Sequence, residues 1–236
     1  MKFKTEMHCH SATVSDCADI TPTQIVEKYL ENGYTTVVVA DHLSPSTFAS
    51  KRYTGGEDWQ KKIDYYMEGV RALKEAAKGK LHILQGCEIR IEACPSDYLV
   101  YGITEEFMRQ NPDLLQIPKV RALCARLHEA GFLVFQAHPF RNGMTITNPE
   151  HLDGIEVYNA HARHNSRNDL AEMWAARYDL LPISGSDVHH DHDIPGGGIL
   201  TDEPITDMAQ LMQILRERRY TLLREGTPGD ESTRRP

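Results

Sequence analysis

This 236-residue sequence has no long apolar run, no C-x-x-C pair of cysteines and no apolar stretch in its first ten residues. No segment approaches the roughly 20 consecutive apolar residues that cross a bilayer, and the opening MKFKTEMHCH lacks the apolar core of a signal peptide. The five cysteines are scattered without a C-x-x-C pair, which argues against a disulfide framework or a zinc knuckle. We therefore expect a cytoplasmic protein that does not associate with membranes.

An excess of basic residues is also missing, because the formal net charge is −8. Proteins that bind long nucleic acids regardless of sequence need a basic surface, so we expect no long nucleic acid as a partner. Small anionic substrates remain compatible if acidic residues bind divalent cations, since the field at such a site is positive. With 40% hydrophobic and 25% charged residues, the composition is that of a globular protein with an apolar core.

Short apolar runs alternate with helical patterns along most of the sequence. Seven runs are predicted to be strands: Phe3–His8, Thr35–Ala40, His82–Ile89, Tyr98–Ile103, Phe132–Gln136, Ile155–Tyr158 and Pro182–Ser184. Five helices are predicted to begin near Thr23, Trp59, Lys119, Asn168 and Asp207. Runs such as TTVVVA and FLVFQA are apolar throughout, which is typical of strands covered on both faces. The alternation predicts a parallel α/β architecture, either open or closed into a barrel.

Side chains that bind metals end or follow five of the predicted strands. They are His8 and His10, Asp41 and His42, Glu88, His138, and Asp187 with His189. In parallel α/β folds the carboxyl ends of the strands form the rim where active sites assemble. Residues two apart on a strand face the same side, so His8 and His10 can bind one ion while Cys9 points away. Five such strand ends predict a shared metal site.

The donor types narrow the choice of metal. Imidazole and carboxylate without thiolate suit Zn²⁺, Mn²⁺ or Fe²⁺ better than Ca²⁺ or a soft metal. There are more candidate ligands than one tetrahedral ion uses, which indicates a centre of two to three divalent ions. Closely spaced ions activate water and hold the oxygens of a phosphoryl group during its displacement.

The motifs resemble those of the PHP superfamily, the polymerase and histidinol phosphatase family, and occur in the same order. They are H-C-H-S-x-x-V-S-D (8–16), A-D-H (40–42), G-C-E (86–88), A-H-P-F-R (137–141) and G-S-D-V-H (185–189), and together they span roughly residues 1–205. The resemblance implies a distorted seven-stranded β/α barrel, similar to a TIM barrel, with a trinuclear site at the carboxyl rim. Residues 1–225 would form this domain, and residues 226–236, which are polar, would form a disordered tail.

The resemblance also implies a role for each ligand. His8, His10, Glu88 and Asp187 would bind the first ion, and Glu88 would bridge to a second ion held by His138. Asp16, His42 and His189 would bind the third. Two positions depart from the family pattern: Asp97 stands where a histidine usually binds the second ion, and Cys17 stands where a glycine often follows the aspartate.

The function implied is a phosphatase or phosphodiesterase that acts on a small phosphorylated metabolite or short nucleotide through a metal-activated hydroxide. Asp187 or His189 would manage the proton of the leaving group. Arg141 is the leading candidate for a phosphate clamp, because a guanidinium matches phosphate oxygens in pairs. Weaker candidates for that contact are Lys51, Arg52, Arg163 and Arg167.

Two other functions stay open. The first is a metal-dependent amidohydrolase acting at carbon, since such barrels also carry His-x-His on their first strand. The second is a non-catalytic accessory or sensing protein that binds metal. The roles of four further histidines are also open: His161 and His164 could line the pocket, whereas His190 and His192 are interpreted as rim residues.

Overall fold

The structure is a computed structural model that describes residues 2–226. In this range the strands are β1 (Phe3–Cys9), β2 (Tyr34–Val39), β3 (His42–Leu43), β4 (His82–Ile89), β5 (Tyr98–Tyr101), β6 (Leu133–Gln136), β7 (Gly154–Asn159), β8 (Leu181–Gly185), β9 (Gly197–Thr201) and β10 (Thr221–Arg224). The α-helices are α1 (Pro22–Glu31), α2 (Pro45–Ala49), α3 (Trp59–Ala77), α4 (Glu105–Gln110), α5 (Val120–Glu129), α6 (Asn168–Tyr178) and α7 (Met208–Arg216). All seven predicted strands and all five predicted helices are confirmed.

The predicted strands form a nearly closed barrel in the order β1-β2-β4-β5-β6-β7-β8. The chain just after β8 returns to β1, where Val188 forms a parallel bridge with Cys9. The Asp187 amide donates a hydrogen bond of 2.8 Å to the His8 carbonyl, and the His10 amide donates to the Val188 carbonyl at 3.3 Å. The TIM-like barrel is therefore confirmed, and its closure brings the motif of β1 against the motif that follows β8.

The expectation that the sheet is parallel is wrong at one place in the barrel. Strand β5 runs antiparallel to both β4 and β6. Residues 90–97, which join β4 to β5, hold no helix, and a parallel crossover would need a dozen or more residues. The start of β5 therefore lies at the rim formed by the ends of the other strands, and this places Asp97 beside them.

The strands outside the barrel were not predicted. Strand β9 pairs antiparallel with β1, and β10 pairs antiparallel with β9. The two-residue β3 pairs in parallel with β4 and connects His42 directly to Glu88 in register. These strands are short, and their pairing partners are distant in sequence, so no local period reveals them.

Helix α1 shows how the local sequence determines an element. Thr21 and Gln24 form a capping box, Pro22 occupies the first turn, and Gly33 follows the helix at φ 75°. A glycine reaches positive φ without a Cβ clash, so it ends the helix cheaply. The apolar stripe, which includes Ile25 and Val26, packs against the barrel.

Alternate residues of the strands separate two apolar clusters. On β2, Val37 and Val39 pack in the cluster that includes residues of α1 and α3, whereas Val38 packs with Leu84 and Phe135 in the other cluster. The second cluster also includes residues of α7. The apolar clusters support the strands whose rim carries the polar side chains.

No helix within residues 2–226 is both long enough and apolar enough to cross a membrane. The predicted disordered tail begins at Gly226, which is described and whose amide donates to the Gly196 carbonyl at 3.1 Å. The remaining residues of that tail, 227–236, lie outside the described residues.

Candidate metal centre

Four side chains converge at the junction of β1, β4 and β8. The Nε2 atoms of His8 and His10 are 3.0 Å apart. Each of these nitrogens lies 3.4 Å from one oxygen of Glu88, and Asp187 Oδ1 lies 3.6 Å from the first and 3.3 Å from the second. All four side chains are buried. The structure therefore brings together the set predicted for the first ion.

Two more imidazoles reach the same carboxylate. His138 Nε2 lies 3.2 Å from Glu88 Oε1, and His42 Nδ1 lies 2.9 Å from Glu88 Oε2. His189 lies beside His10, with ring centroids 4.3 Å apart, and ligand atoms of His10, His42 and His189 lie within 4.8 Å of one another. Glu88 is thus the shared carboxylate among four histidines.

The contacts of the Glu88 carboxylate indicate a site for a divalent cation. Both oxygens of Glu88 are buried, and within residues 2–226 neither forms a hydrogen bond of acceptable angle, although imidazole nitrogens lie as close as 2.9 Å. A buried, ionised carboxylate without hydrogen bonds is costly in free energy unless a cation compensates it. The residues present therefore fit a metal centre.

Supporting hydrogen bonds orient the imidazoles. His8 Nδ1 lies 2.9 Å from Glu156 Oε1, and His189 Nδ1 lies 3.0 Å from the Asp187 carbonyl. A carboxylate or carbonyl can only accept, so each Nδ1 carries a proton, and when the imidazole is neutral its Nε2 lone pair is free to bind a metal. This is the tautomer that a metal ligand needs.

Glu156 contacts the candidate centre and was not identified from the sequence. Besides His8, it accepts hydrogen bonds of 2.9 Å from the His138 amide and from Asn159 Nδ2. It therefore holds the motif of β1 and the motif after β6 in one arrangement. The available signal was a charged residue inside the otherwise apolar strand β7, where a carboxylate is buried only with partners.

Arg141 contacts the centre from the loop after β6. Its Nη2 donates to Asp187 Oδ2 at 2.7 Å, to Asn159 Oδ1 at 3.1 Å and to Ser166 Oγ at 3.4 Å. It also lines a cavity of about 430 Å³ together with Glu88 and His138. The predicted phosphate clamp thus lies at the cavity, and in this structure it also holds Asp187.

The electrostatics keep the carboxylates ionised. Burial alone would raise the pKa of Glu88 and of Asp187, but the His8 charge, together with His42 or Arg141, outweighs burial and holds both well below the usual range. Burial would lower the pKa of His8, but Asp187, Glu156 and Glu88 raise it well above its usual value. The buried His10 has its pKa lowered well below normal by burial and by the neighbouring His189 and His42.

Two residues of the centre have left-handed backbone. The φ angle is 27° at His138 and 53° at Asp187. Such conformations cost about 1–3 kcal/mol each for residues with a side chain, and they cluster at functional sites. Here they turn both side chains into the cluster immediately after β6 and β8.

Asp16, predicted to bind the third ion, is not among the grouped ligand atoms. Its side chain is 49% exposed, and Oδ1 lies 3.3 Å from Arg52 Nε. The adjacent Cys17 lies next to His42 and His189: burial would raise the pKa of its thiol, but these two imidazoles lower it to about 6. The role of Asp16 as a ligand stays a prediction.

Asp97 reaches the centre from the start of β5. Its Oδ2 lies 4.0 Å from His138 Nε2, and ligand atoms of Asp97, His42 and Glu88 lie within 4.8 Å of one another. Both of its oxygens also accept hydrogen bonds from Arg90, at 2.6 and 2.7 Å. Arg90 follows β4 directly, and it was not identified from the sequence.

The remaining histidines divide between the centre and the rim. His161 is buried and groups with Asp187 and His189, and burial lowers its pKa to about 4. Its ring stacks on His164 with centroids 4.8 Å apart. His192 is 73% exposed, consistent with the predicted rim position.

The weaker candidates for a phosphate contact have protein partners or are exposed. Arg163 lies 3.4 Å from Asp193, and Arg167 donates to the Phe140 carbonyl at 2.6 Å. Arg52 donates to the Ala12 carbonyl. Lys51 is exposed in the loop after α2.

Several solved structures resemble this fold. A two-domain protein from Bacteroides vulgatus, which contains a predicted PHP-like metal-dependent phosphoesterase, has TM-score 0.65 and 18% identity over 95% of this chain. This chain covers 65% of that protein. PsfC from Pseudomonas syringae has TM-score 0.62 and 16% identity, with coverage of 89% and 86%. An amidohydrolase from Chromobacterium violaceum with bound sulfate and no metal has TM-score 0.53 and 15% identity, with coverage of 94% and 98%.

Among curated proteins, none matches this sequence. The sequence does match the PHP domain over residues 6–215, which is most of the chain. That range begins within β1 and ends in α7, so it includes the other six strands of the barrel in full and every residue of the centre. The chain belongs to the PHP domain family.

Proposed function

We propose that this protein is a metal-dependent phosphoesterase that hydrolyses a small phosphorylated metabolite or a short nucleotide. The observation that carries the proposal is the buried Glu88 carboxylate, which forms no hydrogen bond of acceptable angle within the described residues although imidazole nitrogens surround it at 2.9–3.4 Å. Donors of this type suit two to three Mn, Zn or Fe ions.

The first ion would be held by His8, His10, Glu88 and Asp187. Glu88 would be shared with a second ion at His138, and Asp16, His42 and His189 would hold a third, as the family resemblance implies. Bound ions would supply an activated water and neutralise charge on the phosphoryl oxygens.

Two side chains are suited to proton transfer. Arg141 and Asn159 engage Asp187 Oδ2, which leaves Oδ1 facing the imidazoles. Burial would lower the pKa of His189, but Asp187 and Cys17 raise it. His189 would donate a proton to the leaving alkoxide only while its Nε2 is not bound to the third ion, and Asp187 would then stabilise the resulting charges.

Two further observations support an anionic substrate. The cavity of about 430 Å³ is lined by Arg90 and Arg141 as well as by the candidate metal ligands. The structurally similar amidohydrolase carries bound sulfate, a tetrahedral anion like phosphate. An arginine side chain binds such oxygens in pairs.

The test is metal content together with hydrolysis of p-nitrophenyl phosphate and bis(p-nitrophenyl) phosphate, using protein purified without chelator. We expect two to three ions per chain, and turnover that is lost in His8→Ala. His82→Ala is the matched control, since His82 is exposed at the start of β4.

The same preparation separates the competing functions. Turnover of an acyl amide panel without phosphoester hydrolysis would favour the amidohydrolase alternative. Bound metal without turnover of either class would favour an accessory or sensing protein. Absence of bound metal after reconstitution would contradict the proposal at its base.

A further inference from the structure

Arg90 and Asp97 are cross-strand neighbours at the mouth of the barrel. In the antiparallel ladder of β4 and β5, Ile89 pairs with Tyr98, so the next residues outward face each other. Arg90 Nε donates to Asp97 Oδ1 at 2.6 Å, and Nη2 donates to Oδ2 at 2.7 Å. This is a bidentate pair in which the planar guanidinium is fixed in orientation.

Arg90 and Asp97 differ in their exposure and in the number of polar atoms that are left for other contacts. Asp97 is 1% exposed, and both of its oxygens accept from Arg90. The Arg90 side chain is 39% exposed, and the pair engages two of the five N–H donors of a guanidinium. The Asp97 carboxylate therefore fixes the orientation of Arg90, and the Arg90 guanidinium is the group exposed to the cavity.

Arg90 lies between two cavities that adjoin the centre. One, of about 430 Å³, contains Glu88, His138 and Arg141 in its wall. The other, of about 320 Å³, is lined by hydroxyl side chains such as Ser44 and Thr47. The walls of both include His42 and Arg90, so a substrate group entering either cavity meets this guanidinium.

The pair adds no net charge to the centre. The Arg90 guanidinium balances the Asp97 carboxylate, since both oxygens of Asp97 accept from it. A carboxylate alone would add a negative charge beside Glu88 and oppose an anionic substrate. The pair is thus a neutral unit whose remaining N–H donors face the cavity.

We propose that Arg90 binds the phosphoryl oxygens of the substrate and that Asp97 is its positioning residue rather than a metal ligand. This proposal rests on the proposed phosphoesterase function and assigns its substrate preference. The N–H groups of Arg90 that Asp97 leaves free can donate to the terminal oxygens of a phosphomonoester, and a diester offers fewer such oxygens, so the monoester is preferred.

The test uses the full chain loaded with Mn²⁺ and inorganic phosphate as the probe, with calorimetry for affinity and elemental analysis for metal content. In Arg90→Gln we expect phosphate affinity to fall about 10- to 100-fold, the loss typical of a charge-assisted hydrogen bond, with metal content unchanged. In turnover, KM for p-nitrophenyl phosphate should rise more than kcat falls, and the preference over the diester should shrink. Arg90→Lys should restore part of the affinity.

Asp97→Asn and a surface control complete the design. Asp97→Asn should weaken phosphate binding less than Arg90→Gln does, again with unchanged metal content. Arg71→Gln is the control, because Arg71 makes a similar two-oxygen contact with Glu105 on the surface of α3. It should bind phosphate like the wild type.

Two outcomes would overturn the proposal. Phosphate affinity that is unchanged in Arg90→Gln would exclude the contact, and loss of an ion in Asp97→Asn would make Asp97 a metal ligand. Phosphate binding that depends on Arg90 in a protein that hydrolyses no phosphoester would instead contradict the proposed function and leave the anion site standing.

Discussion

Two buried carboxylates of the centre, Glu88 and Asp97, differ in the groups that contact their oxygens. On the side that faces the histidines of β1, Glu88 forms no hydrogen bond of acceptable angle within residues 2–226, and imidazole nitrogens surround it. On the β5 side, Asp97 is also buried, but both of its oxygens are occupied by Arg90. The Glu88 side offers ligand atoms that suit divalent cations from solution. On the other side, the cation that pairs with Asp97 is the Arg90 guanidinium.

This difference shows that ligand-type residues in one rim need not play one role. Asp97 and Glu88 are both buried acids on neighbouring strands, yet the cross-strand residue decides what each can do. A carboxylate next to imidazoles provides lone pairs for an ion, whereas a carboxylate next to a guanidinium is already neutralised.

The largest expected effect comes from removing the carboxylate shared by the histidines. In Glu88→Gln we expect at least one ion per chain to be lost and phosphoester hydrolysis to fall by more than about 100-fold, since loss of a direct ligand should exceed the effect of its supporting partners. Elemental analysis and p-nitrophenyl phosphate turnover check this. Glu92→Gln, at an exposed acid beyond β4, is the control. Full metal content in Glu88→Gln would contradict the assignment.

A smaller effect is expected from Glu156, which contacts His8 through Nδ1 and would not bind metal itself. In Glu156→Gln the amide can present its NH₂ to His8 and disturb the tautomer, so metal affinity should fall about 10- to 100-fold. Competition with a chromophoric chelator measures this. If Glu156→Gln lowers metal affinity no more than Glu172→Gln, a partly exposed acid on α6, the supporting role of Glu156 is excluded.

Asp97→His tests the difference between the two sides directly. This change removes the partner of Arg90 and introduces an imidazole near His138. The proposed site of the second ion, at His138, should therefore gain affinity for metal. Phosphate affinity should fall by a few-fold to about 10-fold, because the guanidinium is no longer held in orientation. Metal titration followed by phosphate calorimetry measures both quantities in one sample. A variant that gains no metal affinity would show that the second position depends on more than this residue.

The smallest effect concerns Cys17 and depends on pH. Because the pKa of its thiol is lowered to about 6, most of it is thiolate at pH 7, and this fraction falls as pH decreases through 6. In chelator-treated protein, iodoacetamide should modify Cys17 first at pH 7 and slow about tenfold by pH 5. Cys87 and Cys124 are internal controls, since both are buried and burial raises their pKa values. Peptide mass spectrometry identifies the site; equal labelling of Cys17 and Cys124 would reject the thiolate.

Much of the fold could be predicted because it depends on local patterns. The apolar runs of β2 and β6 and the caps of α1 depend only on residues that are adjacent in the sequence, and the structure confirms them. The direction of β5 could not be obtained from its run YLVY, since burial on both faces is the same for either direction. The short connection 90–97 was the available signal.

The sequence by itself determined which residue types stand at the strand ends, and hence the strands, the rim and the family resemblance. Only the tertiary structure decided their partners: Arg90 against Asp97, Glu156 beneath His8, and Cys17 rather than Asp16 facing His42 and His189. The reason is physical. Periodicity records which side of an element is buried, but a partner is selected by strand register and barrel closure, which join residues far apart in the chain.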